Sequence, residues 1–462
     1  MTTATDETPA SIRPTIEFVL VLVMATSLFK LFVVDGYFVP TGSMAPGLLG
    51  VHQNLTCPSC GYRFAVGHEP AGWSPPTLPC PSCKKGTIPF SDPIVQPGDR
   101  LLVLKGFFEF FEPRRWETAV FLNPNDAGAA YVKRIVGLPG EKIVVRQGDV
   151  YANDQIQRKT FQQYRSVAIP VYNTRPGIAV PPTLTTRWLI DQEGKATLQE
   201  TNSGWMIRAP GRQDLFQAAY QETDGTGQPV PIRDDLAYNA SRLSSAPVAI
   251  TDLSVRWIFR WKSGDGAMVV HLTPAMMQSF TLTIRPARGT IECSLSQATE
   301  GLAKHPFSAG QPVEMEFGFW DAQVMLAIDG RVLARFAVDP LPAGSEPTLH
   351  PVEIKMREIV GEIEQLQIFR DIYYRRDASR SWTARQGDGY LLGPDEYFMM
   401  GDNTAVSNDS RSWDVPGIAR RMLVGKPIVV HLPMWSGRGK IAGRTWHWNL
   451  PDVTRMRRID AW

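Results

Sequence analysis

Residues 131–153 read YVKRIVGLPGEKIVVRQGDVYAN, and the fold class turns on how that stretch is parsed. Its two halves, YVKRIVGL and KIVVRQGDVYAN, are rich in valine and isoleucine and are bounded by Pro139-Gly140 and by Asn153. Short β-branched runs between turn formers predict strands, not helices. In an extended chain alternate side chains share a face, so Tyr131, Lys133 and Ile135 fall together opposite Val132 and Arg134. A lysine beside tyrosine and isoleucine either snorkels its head to water or is desolvated. Desolvation can lower a lysine pKa by up to ~3–5 units, enough to supply a neutral amine near neutral pH.

Working outward, the same texture recurs in DRLLVLKGFF (99–108), TAVFL (118–122), YLLGPDEYFMMGDN (390–403) and LVGKPIVVHLP (423–433). The expected class is mainly β. The 462 residues suggest roughly three domains, and 43% apolar residues with 20% charged exclude a wholly disordered chain. Lys and Arg (48) nearly balance Asp and Glu (46), which lacks the basic footprint of a nucleic-acid binder. Five cysteines are too few for a disulfide-built scaffold.

Ile16 to Val34, IEFVLVLVMATSLFKLFVV, is the one long apolar segment. As a helix it would span roughly 28 Å, close to the hydrocarbon thickness of a bilayer. A membrane anchor at 15–35 behind an N-terminal tail (1–14) is the expectation. A buried core helix and a cleaved leader are the alternatives, although Asp35-Gly36-Tyr37-Phe38 offers no small-x-small cleavage site. Arg13 is offset by Asp6 and Glu7, so flanking charge does not orient the segment.

Three further elements carry chemistry only in combination. Ser43 sits in Pro40-Thr41-Gly42-Ser43-Met44, by itself an ordinary turn. Lys133 lies in the strand above. Gly401-Asp402-Asn403 to Ser407-Asn408-Asp409-Ser410-Arg411 would by itself be a solvated loop. In the order anchor, PTGSMAPGL, GDRLLV, YVKRIVGLPGE and GDNTAVSNDSR, the set resembles the bacterial type I signal peptidases, membrane-bound Ser–Lys endopeptidases. The resemblance covers about 36–50, 95–160 and 388–433.

The resemblance implies Ser43 as nucleophile and Lys133 as general base, with Thr41 and the Ser43 backbone N–H as the oxyanion hole. Ser407 would orient the lysine amine. Asp402, Asp409 and Arg411 would hold the site, the last two as an ion pair. Tyr37, Val39, Pro40, Met44, Leu48, Tyr131 and Val132 would surround two shallow pockets for small residues. Met44 and its apolar neighbours could also form a patch that dips into the membrane surface. Catalysis would need no cofactor. The implied partners are signal peptides of exported preproteins and membrane lipid, and no nucleic acid. The implied location is the bacterial cytoplasmic (inner) membrane, single-pass, with the N-terminus cytoplasmic and the catalytic domain outside. The segment Arg115-Trp116-Glu117 stands where the family has an Arg-Gly-Asp turn, a departure that affects structure more than mechanism.

Two insertions interrupt the core segments 36–50, 92–160 and 384–462. The first, 51–91, carries Cys57-Pro58-Ser59-Cys60 and Cys80-Pro81-Ser82-Cys83, a spacing suited to a structural zinc ribbon with four thiolate ligands, with two disulfides as the competing reading. Cys293 reads as a buried free thiol. The second, 161–383, has strand signals such as VRWIFRW, SFTLTIRP and a hairpin at Ile328-Asp329-Gly330-Arg331. Its pattern is similar to the concanavalin-like or laminin-G-like jelly-roll sandwich, which would imply a glycan or protein ligand, or a spacer role. It should leave and re-enter the core at neighbouring points, as an appendage separable from the chemistry. The rival functions are a binding protein with an inactive peptidase core, a maturation peptidase dedicated to one substrate, and a self-cleaving repressor.

Overall fold

The computed structural model describes residues 13–459 apart from 69–76, 85–86, 90–93, 127, 174–186, 202–203, 225, 241–245, 277, 296–297, 343, 376–388, 432 and 442–443. Most of the expected N-terminal tail therefore lies outside the described residues. The chain is mainly β.

A helix, α1 (Arg13–Phe32), leads into β1 (Val34–Phe38). The core sheet continues with β2 (Arg100–Lys105), β3 (Thr118–Asn123), β4 (Ala129–Gly137), β5 (Glu396–Met400), β6 (Gly417–Ala419) and β7 (Leu423–Val430). Their order across the sheet is β1-β2-β7-β3-β4-β5-β6, every neighbour antiparallel, with Arg457–Arg458 added to β7. β4 contains the expected lysine strand, and Lys133 stands opposite Ala119 of β3. Alternation is kept: Val132 packs with Val39, Leu101 and Val120, whereas Tyr131 and Ile135 pack with Phe121, Met399 and Trp413. A central strand with both faces buried explains why its apolar run is nearly continuous.

α1 presents Phe18, Leu20, Val23 and Phe29 to the exterior. Among the described residues no helix is long and apolar enough to cross a membrane.

The first insertion forms two small hairpins. His52–Thr56 pairs with Arg63–Gly67 and carries Cys57 and Cys60 at its tip; Thr77–Pro79 pairs with Thr87–Pro89 around Cys80 and Cys83. The second is a two-sheet sandwich of eight and seven strands, running from Ile169–Asn173 to Ile359–Arg370. Trp205, Trp257, Phe259 and Phe317 fill the space between its sheets. The expected hairpin is present, with Asp329 and Gly330 both left-handed between paired Ile328 and Arg331. Ile169 stands opposite Arg370, so the sandwich leaves and re-enters the core at one place. The lead-in helix α2 (Phe161–Val167) is capped by Thr160, whose hydroxyl accepts from the Gln163 N–H while the Gln163 side chain accepts from the Thr160 N–H.

The two bodies meet across a dense polar joint. Lys159, 2% exposed, places its ammonium 2.6 Å from Asp321 and 2.8 Å from Asp371, and 4.6 Å from the centre of the Trp116 ring. Trp116 holds a left-handed φ of 73°, at the position where the resembled family has glycine. A bulky side chain there costs ~1–2 kcal/mol, and burial of the indole against Tyr374 offsets it.

Candidate active site

Lys133 and Ser43 are 90 residues apart in sequence and meet at 2.5 Å, Nζ to Oγ. Ser43 stands on a single 3₁₀ turn, Gly42–Met44, that follows β1 and its Val39-Pro40-Thr41 exit. Met44 is 1% exposed and anchors the turn by burying itself with Leu48 against Leu101, Val103 and Val430. Lys133 is 2% exposed, and burial lowers its pKa to about 8; Asp409 and Asp402 pull it back up, while Arg411 opposes them. An amine that loses its proton near pH 8, well below an ordinary lysine, thus sits on a serine hydroxyl. Thr41 Oγ1 lies 3.5 Å from Ser43 Oγ, on the side of the same groove.

The loop after β5 closes the site from below. Burial raises the Asp409 carboxyl, but the Arg411 guanidinium and the Gly401 N–H outweigh it and hold the group below the usual carboxylate range. The contacts are Arg411 Nη2 at 2.7 Å and Gly401 N at 2.9 Å. Asp402 takes a bidentate pair from Arg134 at 2.9 and 2.8 Å, and Arg134 also donates to the Trp116 carbonyl. Gly401 passes so close to the Ser43 carbonyl that a Cβ would overlap it. Ser410 pins the loop to β5, accepting from the Met399 N–H at 2.8 Å.

A cavity of about 490 Å³ opens over the dyad, lined by Tyr37, Val39, Pro40, Thr41, Tyr131 and Val132 together with Ala129 and Ala130. Met44 and Leu48 do not line it. Both are buried against Leu101, Val103 and Val430, and they line a separate cavity with Gly47, Arg134 and Asp402. The Ser407 hydroxyl is buried beside Gly401 and Asp409, and the lysine amine is within hydrogen-bond distance of Ser43. Sequence reasoning missed Arg134, Ser410, Asn403 and Asn239. Asn403 was in view as part of the loop motif, but nothing in the sequence linked it to Asn239, 164 residues away.

The four paired cysteines come together at a second site. Cys57 and Cys83 sulfurs are 3.7 Å apart and those of Cys60 and Cys80 are 3.6 Å apart, all four thiols free. Such distances are too long for disulfides, which need ~2.05 Å.

The profile of the family described as signal peptidase, peptidase S26, matches residues 90–197 and 323–432. Those ranges hold Lys133 and the 401–411 loop; Ser43 lies outside them. A "probable signal peptidase I-2" of Synechocystis sp. is 36% identical over 96 residues, 20% of this chain and 41% of that protein. The signal peptidase I of Rickettsia canadensis is 27% identical over 158 residues, 34% of this chain and 48% of that protein. The chain thus spans less than half the length of these curated relatives. Among solved structures, a Bacillus subtilis protein of unknown function with a galectin-like fold aligns over 44% of this chain and 98% of its own, at 10% identity and a TM-score of 0.31. Through these two stretches of its core, the chain is similar to the signal peptidase family, peptidase S26.

Proposed function

We propose that this protein is a serine endopeptidase that removes N-terminal signal peptides from exported preproteins after small-x-small sites. The 2.5 Å contact between a buried, pKa-lowered lysine and the Ser43 hydroxyl carries the reading. The neutral Lys133 amine takes the Ser43 proton as Oγ attacks the scissile carbonyl. The oxyanion then accepts from the Ser43 N–H and the Thr41 hydroxyl, donors placed where charge develops. The protonated lysine passes its proton to the leaving amine, and water later attacks the acyl-enzyme with Lys133 again as base. Ala129 to Lys133 pair with β3 on one side, while β5 begins its pairing only at Arg134. An extended substrate can add its backbone along that open edge. Ala129, Ala130 and Val132 give that edge a small, apolar lining, suited to small side chains.

Detergent-solubilised protein incubated with a preprotein, with the products mapped by mass spectrometry, tests this. The expected cut follows a residue whose own side chain, and that two residues earlier, are small. Absence of a cut, or a cut that survives Ser43→Ala, would sink the reading. Thr41→Ala should lower kcat on the order of 10²–10³-fold, and Thr41→Ser only a few-fold, because one oxyanion donor is lost or kept.

α1 is the proposed membrane contact. Its apolar shaft stands bare, with Leu22 50% and Phe29 56% exposed. That contact would keep the groove at the outer face of the bacterial cytoplasmic membrane, where signal peptides emerge. Deleting residues 1–33 should release the protein from vesicles in flotation.

The four thiolates fit structural zinc. A tetrahedron with Zn–S bonds of ~2.3 Å has edges of about 3.8 Å, near the 3.6 and 3.7 Å observed. Four thiolates would leave no open position for catalysis. Elemental analysis should find one zinc per chain, and Cys60→Ser or Cys80→Ser should lower zinc content and melting temperature together. Oxidised cysteines without metal would refute it.

A further inference from the structure

The sandwich reaches the nucleophile. Its short turn Ala237–Asn239 lays the Tyr238 ring over Gly42, so closely that a Cβ on Gly42 would overlap the ring. Asn239 Nδ2 donates to Asn403 Oδ1 at 2.7 Å, and Asn403 Nδ2 donates to Asn239 Oδ1 at 2.8 Å. The two side-chain amides form a closed pair, 7% and 3% exposed. Asn403 Nδ2 also donates to the Gly42 carbonyl at 2.9 Å, and its backbone N–H donates to the Ser43 carbonyl at 3.0 Å.

The Gly42 carbonyl and the Ser43 N–H belong to one peptide plane. In a trans peptide they point in opposite directions, so fixing the oxygen fixes the hydrogen. We propose that Asn239 of the inserted sandwich is a positioning residue for peptide hydrolysis: it locks the Asn403 amide, which holds the Gly42–Ser43 plane with the Ser43 N–H aimed at the oxyanion. The inference rests on the peptidase reading above. It also removes the expectation that the insertion is separable from the chemistry. Without Asn239 the Asn403 amide loses both partners of the pair and can turn, and the Gly42 carbonyl loses its fixed donor. The cost appears where charge develops, not where substrate binds.

Full-length Asn239→Ala is compared with the parental protein, Ser43→Ala, Asn403→Ala and the double Asn239→Ala/Asn403→Ala. The expected result is a kcat lowered about 10–100-fold with KM within about twofold, since small misplacements of a reacting group cost that much. Affinity for a peptide boronate, which presents a tetrahedral oxygen to the same donor, should fall by the same factor. The double variant should be no worse than Asn403→Ala, because both act through one plane. Should Asn239→Ala not fold, the isosteric Asn239→Asp, which sets an oxygen against Asn403 Oδ1, takes its place with the same expectations. A kcat within twofold of parental, or losses that add, would overturn the inference. Parental protein that cuts nothing would instead overturn the peptidase reading. Amide exchange of residues 39–48 then still decides the positioning claim: faster exchange in the Asn239 variant supports it, and unchanged exchange refutes it.

Discussion

Ser43→Ala and Lys133→Ala should each remove turnover on the order of 10⁴–10⁶-fold while leaving the melting temperature near that of the parental protein. The double variant should be no worse than either, because nucleophile and base act as one unit. Lys133→Arg should be equally inactive, since a guanidinium stays protonated and cannot take the serine proton. The pH profile follows from the same contact. Burial lowers the Lys133 pKa to about 8, and only the neutral amine is a base. The rate should therefore be low near pH 6, climb through about pH 8 and level off above it. A profile without an ionisation on its rising limb, or cleavage by Lys133→Ala within tenfold of parental, would remove Lys133 from the chemistry.

What the sequence could disclose depended on how local the cause was. The lysine strand was legible because valine, isoleucine and tyrosine cluster around it within nine residues; whether its lysine was buried required the fold. The cysteine knuckles were legible for the same reason: each pair closes within one turn. Ser43 was not legible by itself, because Gly-Ser-Met after a proline is what any turn contains. It acquired meaning from the order of distant motifs, and its contact with Lys133 required the fold. Met44 and Leu48 show the converse. Their apolar character was plain, but whether the turn faced groove or core depended on packing against Leu101 and Val430. Trp116 in a left-handed conformation contradicts any local rule and is held by Tyr374, far along the chain. Asn239 was invisible for a related reason: asparagine in a loop is the default turn former, and only its pairing with Asn403 sets it apart.

The joint between core and sandwich should be the most charge-sensitive place in the molecule. Lys159 faces Asp321 and Asp371 directly, and Asp252 accepts from the Asp321 N–H at 2.8 Å. Burial and neighbouring carboxylates push Asp371 up to about 7 and Asp252 up to about 6, and Asp149 is raised as well. Lys159→Met keeps the length of the side chain and removes the ammonium. At pH 8 the carboxylates would then be buried without it, a loss of ~3–5 kcal/mol by analogy with other broken buried pairs. The pH dependence has a definite sign. A carboxyl whose folded pKa is raised destabilises the fold only when ionised, so the penalty is absent below about pH 4, grows through pH 6–7 and is complete above. Chemical denaturation at pH 5 and pH 8 should thus show the variant much closer to parental at pH 5. Equal losses at both pH values would mean that Lys159 serves only through packing against Trp116. Because Asn239 reaches Asn403 from the far side of this joint, loosening it should also lower kcat at pH 8, before global unfolding sets in.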